Sequence, residues 1–339
     1  MVAASSCAAS STGVAGTTGA AATPTSAPAV TSVVDPNRTT APAPANGPST
    51  TTTSPHDPST TATTAAGGHG TCGWRTSAPA HDEHVIWVWM ENKNASQLRD
   101  AKQAPFFAQL ASTCGSAANY VDHGVHPSLP NYIAATSGST QGIADDNSPA
   151  AHPVQADNIF RQVRARGGTA RSYEESMSSA CQLSGAGRYA VKHNPAAYFV
   201  GGDDRTACAT DNVPFTAFAT DLSSGALPSF SMVTPDLCND MHDCSVATGD
   251  AWLAHFVTEV TASADYQVGS TVVLVVFDES EGAGTMPFFV VAPSVQPGTR
   301  PTGELDHAAL LAFTEDALGI SEHLGAAAGA ASLRTAFGI

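Results

Sequence analysis

Two carboxylate-bearing pairs each follow an apolar run directly: Glu91-Asn92 after Met90, and Asp278-Glu279 after Phe277. Charged oxygens at buried strand ends need a partner, and the chain has only 14 Lys and Arg against 30 Asp and Glu to provide one. Strand caps or ion pairs are one reading. The favoured one is a shared divalent cation, with both pairs converging on a single crevice.

The loop from Val121 to Tyr132 holds His123, His126, Ser128 and Asn131, with Pro127 and Pro130 fixing the backbone around the serine just before a helix. Ser128 is placed to cap that helix. The same placement sets its hydroxyl at a positive helix N-terminus, where phosphate oxygens meet backbone amides. Beside a metal, such a serine becomes a nucleophile. Further along, Pro235 to Cys244 gathers Asp236, Asp240, His242 and Asp243, which read equally as a ligand-rich loop or as an acidic surface turn. His307 opens an apolar helix, where a lone histidine is commonly a cap. Lys192 and His193 are a local basic exception in an acidic chain. With Asn131 they are expected to contact a substrate phosphate.

The elements that must position these residues are legible in the periodicity. His84–Met90 is rich in β-branched and aromatic residues and reads as a central strand; Thr271 leads into the run Val272–Phe277, which reads as a second, buried one. Residues 229–233 and 286–291 read as further strands. Helical spacing marks 105–111, 131–136, 252–257 and 308–318. Alternating elements of this kind predict an α/β three-layer sandwich around a largely parallel sheet, with the site beyond the carboxyl ends of its strands.

Residues 1–70 are almost entirely Ala, Thr, Ser, Pro and Gly and are expected to form a disordered leader or stalk, leaving 71–339 as one catalytic domain. The net charge of −16 argues against nucleic acid as a partner. No apolar stretch is long enough to span a bilayer. Of 7 cysteines, Cys7 falls in the leader and six fall in the domain, without CxxC spacing. Disulfides and export are therefore expected, with Cys72 joined to Cys114, Cys181 to Cys208 and Cys238 to Cys244. The first residues lack a basic start and an apolar core, so a signal peptide is expected to have been trimmed or to lie upstream, and Cys7 is a candidate lipidation point for an envelope tether.

Taken in order, these segments resemble the bacterial phosphoesterase family of acid phosphatases and phospholipases C, within the alkaline-phosphatase-like superfamily. The resemblance is carried by Trp89–Lys93, His126–Tyr132, Tyr173–Met177, Lys192–Pro195, Thr234–Asp236 with Asp240–Cys244, Phe277–Ser280 and His307. It implies that Glu91, Asn92, Asp278 and Glu279 bind a divalent cation together with Ser128, the nucleophile. It also implies that Asp240, His242 and His307 form a second metal or phosphate-contacting cluster, with one or two cations in all. His242 and His307 join Ser128 as the expected catalytic set. In the run Ser128-Leu129-Pro130-Asn131-Tyr132, tyrosine stands where sulfatases of this superfamily carry arginine. Asp278-Glu279 is followed by Ser280-Glu281-Gly282 rather than by the His-Gly-Gly of longer phospholipases C. A secreted or envelope-associated, monomeric acid-phosphatase-like enzyme acting on a small phosphate ester through a phosphoserine is therefore expected. The rivals are a phospholipase C-type phosphodiesterase and a non-catalytic, surface-tethered binding protein that kept the fold.

Overall fold

The apolar runs become strands because both of their faces are covered. In a computed structural model that describes residues 69–282 and 284–339, seven strands form one sheet. They are β1 His84–Met90, β2 Gly115–Ser116, β3 Ala170–Glu174, β4 Asn212–Pro214, β5 Phe230–Thr234, β6 Thr271–Phe277 and β7 Phe288–Val291. Their spatial order is β2-β7-β6-β1-β5-β3-β4. β1, β3, β4, β5 and β6 are parallel, whereas β7 runs antiparallel to β6 and β2 antiparallel to β7. Every residue of β5, β6 and β7 is buried, which explains why these segments read as continuous apolar runs and not as alternating ones.

Nine helices are described: α1 Pro105–Thr113, α2 Ser128–Ser137, α3 Ile159–Ala165, α4 Asp204–Asp211, α5 Thr216–Ser224, α6 Val246–Ala262, α7 Ala264–Val268, α8 His307–Ala317 and α9 Leu333–Phe337. Alternation along β1 assigns two of the layers. Trp87 donates its indole N–H to Thr314 of α8 at 2.9 Å, and Trp89 packs on Tyr132 of α2 with ring centroids 4.5 Å apart. On the opposite face, Phe277, in register with Met90, meets Phe107 of α1 at 6.1 Å. Helices therefore sandwich the sheet as expected. The helix expected at 131–136 begins earlier, at Ser128, because Pro130 falls in the first turn, where its missing N–H would have had no intrahelical acceptor.

The three expected disulfides are formed, with Cα–Cα separations of 5.4 Å for Cys72–Cys114, 5.2 Å for Cys181–Cys208 and 4.7 Å for Cys238–Cys244. Among the described residues no helix is long and apolar enough to cross a membrane. The expected leader, 1–70, lies outside the described residues apart from its last two positions, and Cys7 lies outside them as well.

Glu174, the last residue of β3, is buried and among the described residues has no cationic partner; its side chain accepts hydrogen bonds there from Ser172 Oγ (2.6 Å) and Thr234 Oγ1 (3.4 Å). Burial pushes its carboxyl from 4.5 up to about 8, against the opposing pull of those hydroxyls. The folded state thus holds this proton more tightly than the unfolded chain does. Its contribution to stability is complete below about pH 4.5 and is lost as pH rises through 8. Glu174→Gln, which removes the titration but keeps the shape, should leave the melting temperature near that of the parent at pH 5 and raise it by a few degrees, of order 2–4 °C, at pH 9. Equal shifts at the two pH values would show that Glu174 does not titrate in this range.

Candidate active site

The site begins where β1 and β6 end side by side. Met90 is in register with Phe277, so Glu91 and Asp278 leave adjacent parallel strands at the same level. Asn92 turns away with φ 50°, a left-handed conformation uncommon for a residue with a side chain, and its N–H donates to Asp278 Oδ1 at 3.0 Å. The opposite edge of this crevice is the start of α2, which delivers Ser128. Ser128 is the first residue of that helix rather than its cap, and it is buried. Its hydroxyl donates to Glu91 Oε2 at 3.3 Å.

Glu91 is the hub. The Tyr132 hydroxyl, one helical turn beyond Ser128, donates to Glu91 Oε1, and Asn92 Nδ2 lies 3.2 Å from Oε2. Full burial, together with the nearby Asp278 and Asp240 carboxylates, holds the Glu91 carboxyl well above its ordinary range. Sequence reasoning used Tyr132 only as a departure from the sulfatase pattern. The structure shows it linking the nucleophile's helix to the first strand, with its ring stacked on His193 at 5.3 Å and 9°. Asp146, also unremarked in the sequence, accepts from the Leu129 N–H at 3.0 Å and from Lys192 Nζ at 2.9 Å, so it occupies an orphan amide of α2 and ties that lysine down.

The third edge is the loop after β5. The Cys238–Cys244 disulfide closes it, and Glu175 clamps it by accepting from Asp236 N (2.9 Å), Asn239 Nδ2 (2.9 Å) and Trp252 Nε1 (3.2 Å). Met241 is held at φ 79°, an outlier for a bulky residue, and Gly249 of α6 admits it, because a Cβ there would meet Met241 Cγ at 2.4 Å. The clamped loop presents Asp240, which accepts from His242 N at 2.7 Å, and exposed His242, whose Nδ1 pairs with Asp243 at 2.7 Å.

Several of the expected site residues already face protein partners. His193, expected to contact phosphate, is buried between two carboxylates, with Nε2 3.4 Å from Glu91 Oε1 and Nδ1 3.5 Å from Asp240 Oδ2. His307, expected in the catalytic set, has both ring nitrogens engaged: Nδ1 meets Tyr120 Oη at 2.9 Å and Nε2 meets the Asp278 carbonyl at 2.7 Å. It sits behind Asp278. Glu279, expected as a metal ligand, faces His126 Nδ1 at 2.9 Å and Asn131 Nδ2 at 3.4 Å. Asn131 spends its amide mainly on the Val125 carbonyl at 2.9 Å, a tie across the Ser128 loop. Lys192 pairs with Asp146 and so brings little net positive charge.

A cation suits what remains. Ligand atoms of Glu91, His193 and His242 lie within 4.8 Å of one another. His193 Nε2, Asp240 Oδ2 and Asp278 Oδ2 are buried without hydrogen-bond partners among the described residues. Burial drives the Asp240 carboxyl to about 8 and, with the Asp278 charge, that of Glu279 to about 7, the pattern of carboxylates crowded together without a counter-charge. Burial likewise lowers His193 to about 3, so its imidazole is neutral, as a metal ligand must be.

Comparison with known proteins identifies the family. Residues 26–321 match the family model described as the phosphoesterase family. The chain is 31% identical over 233 residues to phosphatidylinositol-3-phosphatase of Mycobacterium tuberculosis, covering 67% of this chain and 74% of that protein. It is 30% identical over 207 residues to a probable acid phosphatase of Kluyveromyces lactis, covering 56% of this chain but only 48% of the yeast protein. The fold is shared, at a TM-score of 0.51 and 12% identity, with a Vibrio parahaemolyticus protein of the alkaline phosphatase superfamily, over 76% of this chain and 73% of that one. With a matching family model across most of its length, the chain belongs to the phosphoesterase family and is a phosphoric ester hydrolase.

Proposed function

We propose that the domain 71–339 is an exported, monomeric phosphomonoesterase of acid-phosphatase type that works through a phosphoserine on Ser128. The observation that carries this reading is the buried Ser128 hydroxyl facing Glu91 inside a carboxylate cluster that lacks a counter-charge. Glu91, His193 and His242 would hold a divalent cation, with Asp240 and Asp278 beside it. Two imidazoles and a carboxylate favour a borderline first-row ion over magnesium. When bound, the cation supplies positive charge for the phosphoryl oxygens and relieves the repulsion among the carboxylates.

The chain's own residues supply the rest. Ser128 Oγ attacks phosphorus in line with the ester oxygen; the Oγ–P bond forms, the ester P–O bond breaks, and the alcohol leaves. The serine proton passes toward Glu91 Oε2, the acceptor the hydroxyl already faces, which a bound cation would keep ionised despite its burial. His242, the exposed member of the cluster, borders the solvent side from which the leaving oxygen is protonated. Water then attacks the phosphoserine and releases inorganic phosphate. Tyr132, Asp146 and Glu175 bind nothing themselves; they hold Glu91, α2 and the His242 loop in place. The three disulfides favour an oxidising, extracytoplasmic location.

A soluble aryl phosphomonoester should be hydrolysed at least tenfold faster, in kcat/KM, than the matching aryl phosphodiester. Side-by-side steady-state assays check this. The reverse preference would replace the monoesterase with a phospholipase C-type diesterase.

A further inference from the structure

A cavity of about 280 Å³ lies beside α1 at the β2–β7 edge, away from the residues assigned above. Its walls are the segment that leaves Glu91 after β1 and the start of β7, joined where the Ala95 N–H donates to the Thr285 carbonyl at 2.8 Å. Leu98, Phe107 and Phe288 supply an apolar floor, and the exposed Arg99 and Arg300 border it. The carboxylate pairs of basic side chains among the described residues use Arg161, Arg164, Arg171, Lys192 and Arg334, leaving both of these guanidinium groups without an ion pair. Two unpaired arginines converging on one apolar cavity stand out in a chain of net charge −16.

A second observation points the same way. Ser116 of β2 lines this cavity, and its buried hydroxyl has no hydrogen-bond partner among the described residues. An unpaired buried hydroxyl is a cost that a ligand oxygen would remove. The combination of an apolar floor, a few convergent polar groups and a volume just under the usual small-molecule range is that of a binding site.

We propose that this groove binds a single acyl chain bearing an anionic head. The chain lies on Leu98, Phe107 and Phe288, and the head meets Arg99, Arg300 and Ser116. β7 runs antiparallel to β6, so Phe288 is in register with Val276, two residues before Asp278, which sets this lining residue near the carboxyl end of β6, where the active site begins. An enzyme so built would engage phosphate esters in the company of fatty acyl groups. The assignment of Ser128 as nucleophile is not needed for this, and failure of either leaves the other standing.

Isothermal titration of the full chain with decanoate tests the proposal, with decanol supplying the chain alone and inorganic phosphate the head alone. Decanoate should bind at least tenfold more tightly than decanol. Arg99→Gln with Arg300→Gln, and separately Ala108→Phe, which fills the cavity from α1, should each weaken decanoate at least tenfold while leaving hydrolysis of a small soluble phosphomonoester unchanged. Absence of decanoate binding, or binding indifferent to both variants, overturns the proposal. So does inorganic phosphate that binds the parent as tightly as decanoate and is weakened as much by the double variant, because the two arginines would then take an anion without any acyl chain.

Discussion

Ser128→Ala should lower kcat for a soluble phosphomonoester by at least about 10⁴-fold, the scale on which loss of a nucleophile is felt when the residues around it act as a unit. Among the described residues, two hydroxyls of α2 face Glu91, those of Ser128 and Tyr132, and Ser128 is the one placed to attack. Tyr132 also reaches Glu91, but it is fully buried, and burial with the Glu91 charge beside it holds its phenol well above its ordinary range, so it stays protonated as a donor. The loss should be one of chemistry rather than of folding. The substitution removes one hydrogen bond, about 1 kcal/mol in typical cases, and Glu91 keeps its bonds from Tyr132 and Asn92. Quenching the parent enzyme in acid during turnover should trap phosphate on Ser128, and the variant should trap none. Near-normal turnover by a folded Ser128→Ala protein, or phosphate trapped on another residue, would end this mechanism.

The parts of this site that were legible in the sequence share one property: their signal is local. An apolar run that stops at Glu91 or at Asp278 announces a buried strand and its end, and parallel pairing then brings the two ends together. Pro127 and Pro130 around Ser128 announce a helix start in the same way. The placements of His193 and Glu279 were not legible because side-chain direction is not a local property. His193 lies on a short 3₁₀ turn whose packing against Tyr132 aims the imidazole inward, whereas Glu279 follows Asp278 by one residue and points to the other side, toward His126. Glu175 was quoted within a motif without a role, since its partners Asp236, Asn239 and Trp252 lie 61 to 77 residues away. His307 fitted a ligand by type, and only the proximity of Tyr120 and the Asp278 carbonyl shows both of its nitrogens in use.

Exhaustive chelation should reduce hydrolysis by at least about 10³-fold, and re-addition of a divalent ion should restore it, because positive charge at the phosphoryl oxygens is the largest contribution this acidic crevice cannot make for itself. Among the described residues, the cationic side chain aimed toward the cluster is Lys192, and Asp146 already pairs with it. Without a cation, Glu91, Asp240 and Glu279 would meet a dianionic substrate with like charge or with tightly held protons. The site variants should rank by contact. His193→Ala removes a neutral imidazole that lies between Glu91 and Asp240, and it should weaken metal binding by more than 100-fold. Asp278→Asn, which neutralises a carboxylate with an unpartnered buried oxygen, should weaken metal binding and activity together. Glu279→Gln alters a residue held by His126 and Asn131, so its cost should stay within the 10- to 100-fold typical of groups that support a ligand without being one. Metal content measured on each purified variant, alongside kcat, separates these cases. A fully active enzyme with no bound cation, its rate unmoved by chelator, would leave the carboxylates as structural groups; a Glu279→Gln variant that loses metal more completely than His193→Ala would return the cation to the Asp278-Glu279 side of the crevice.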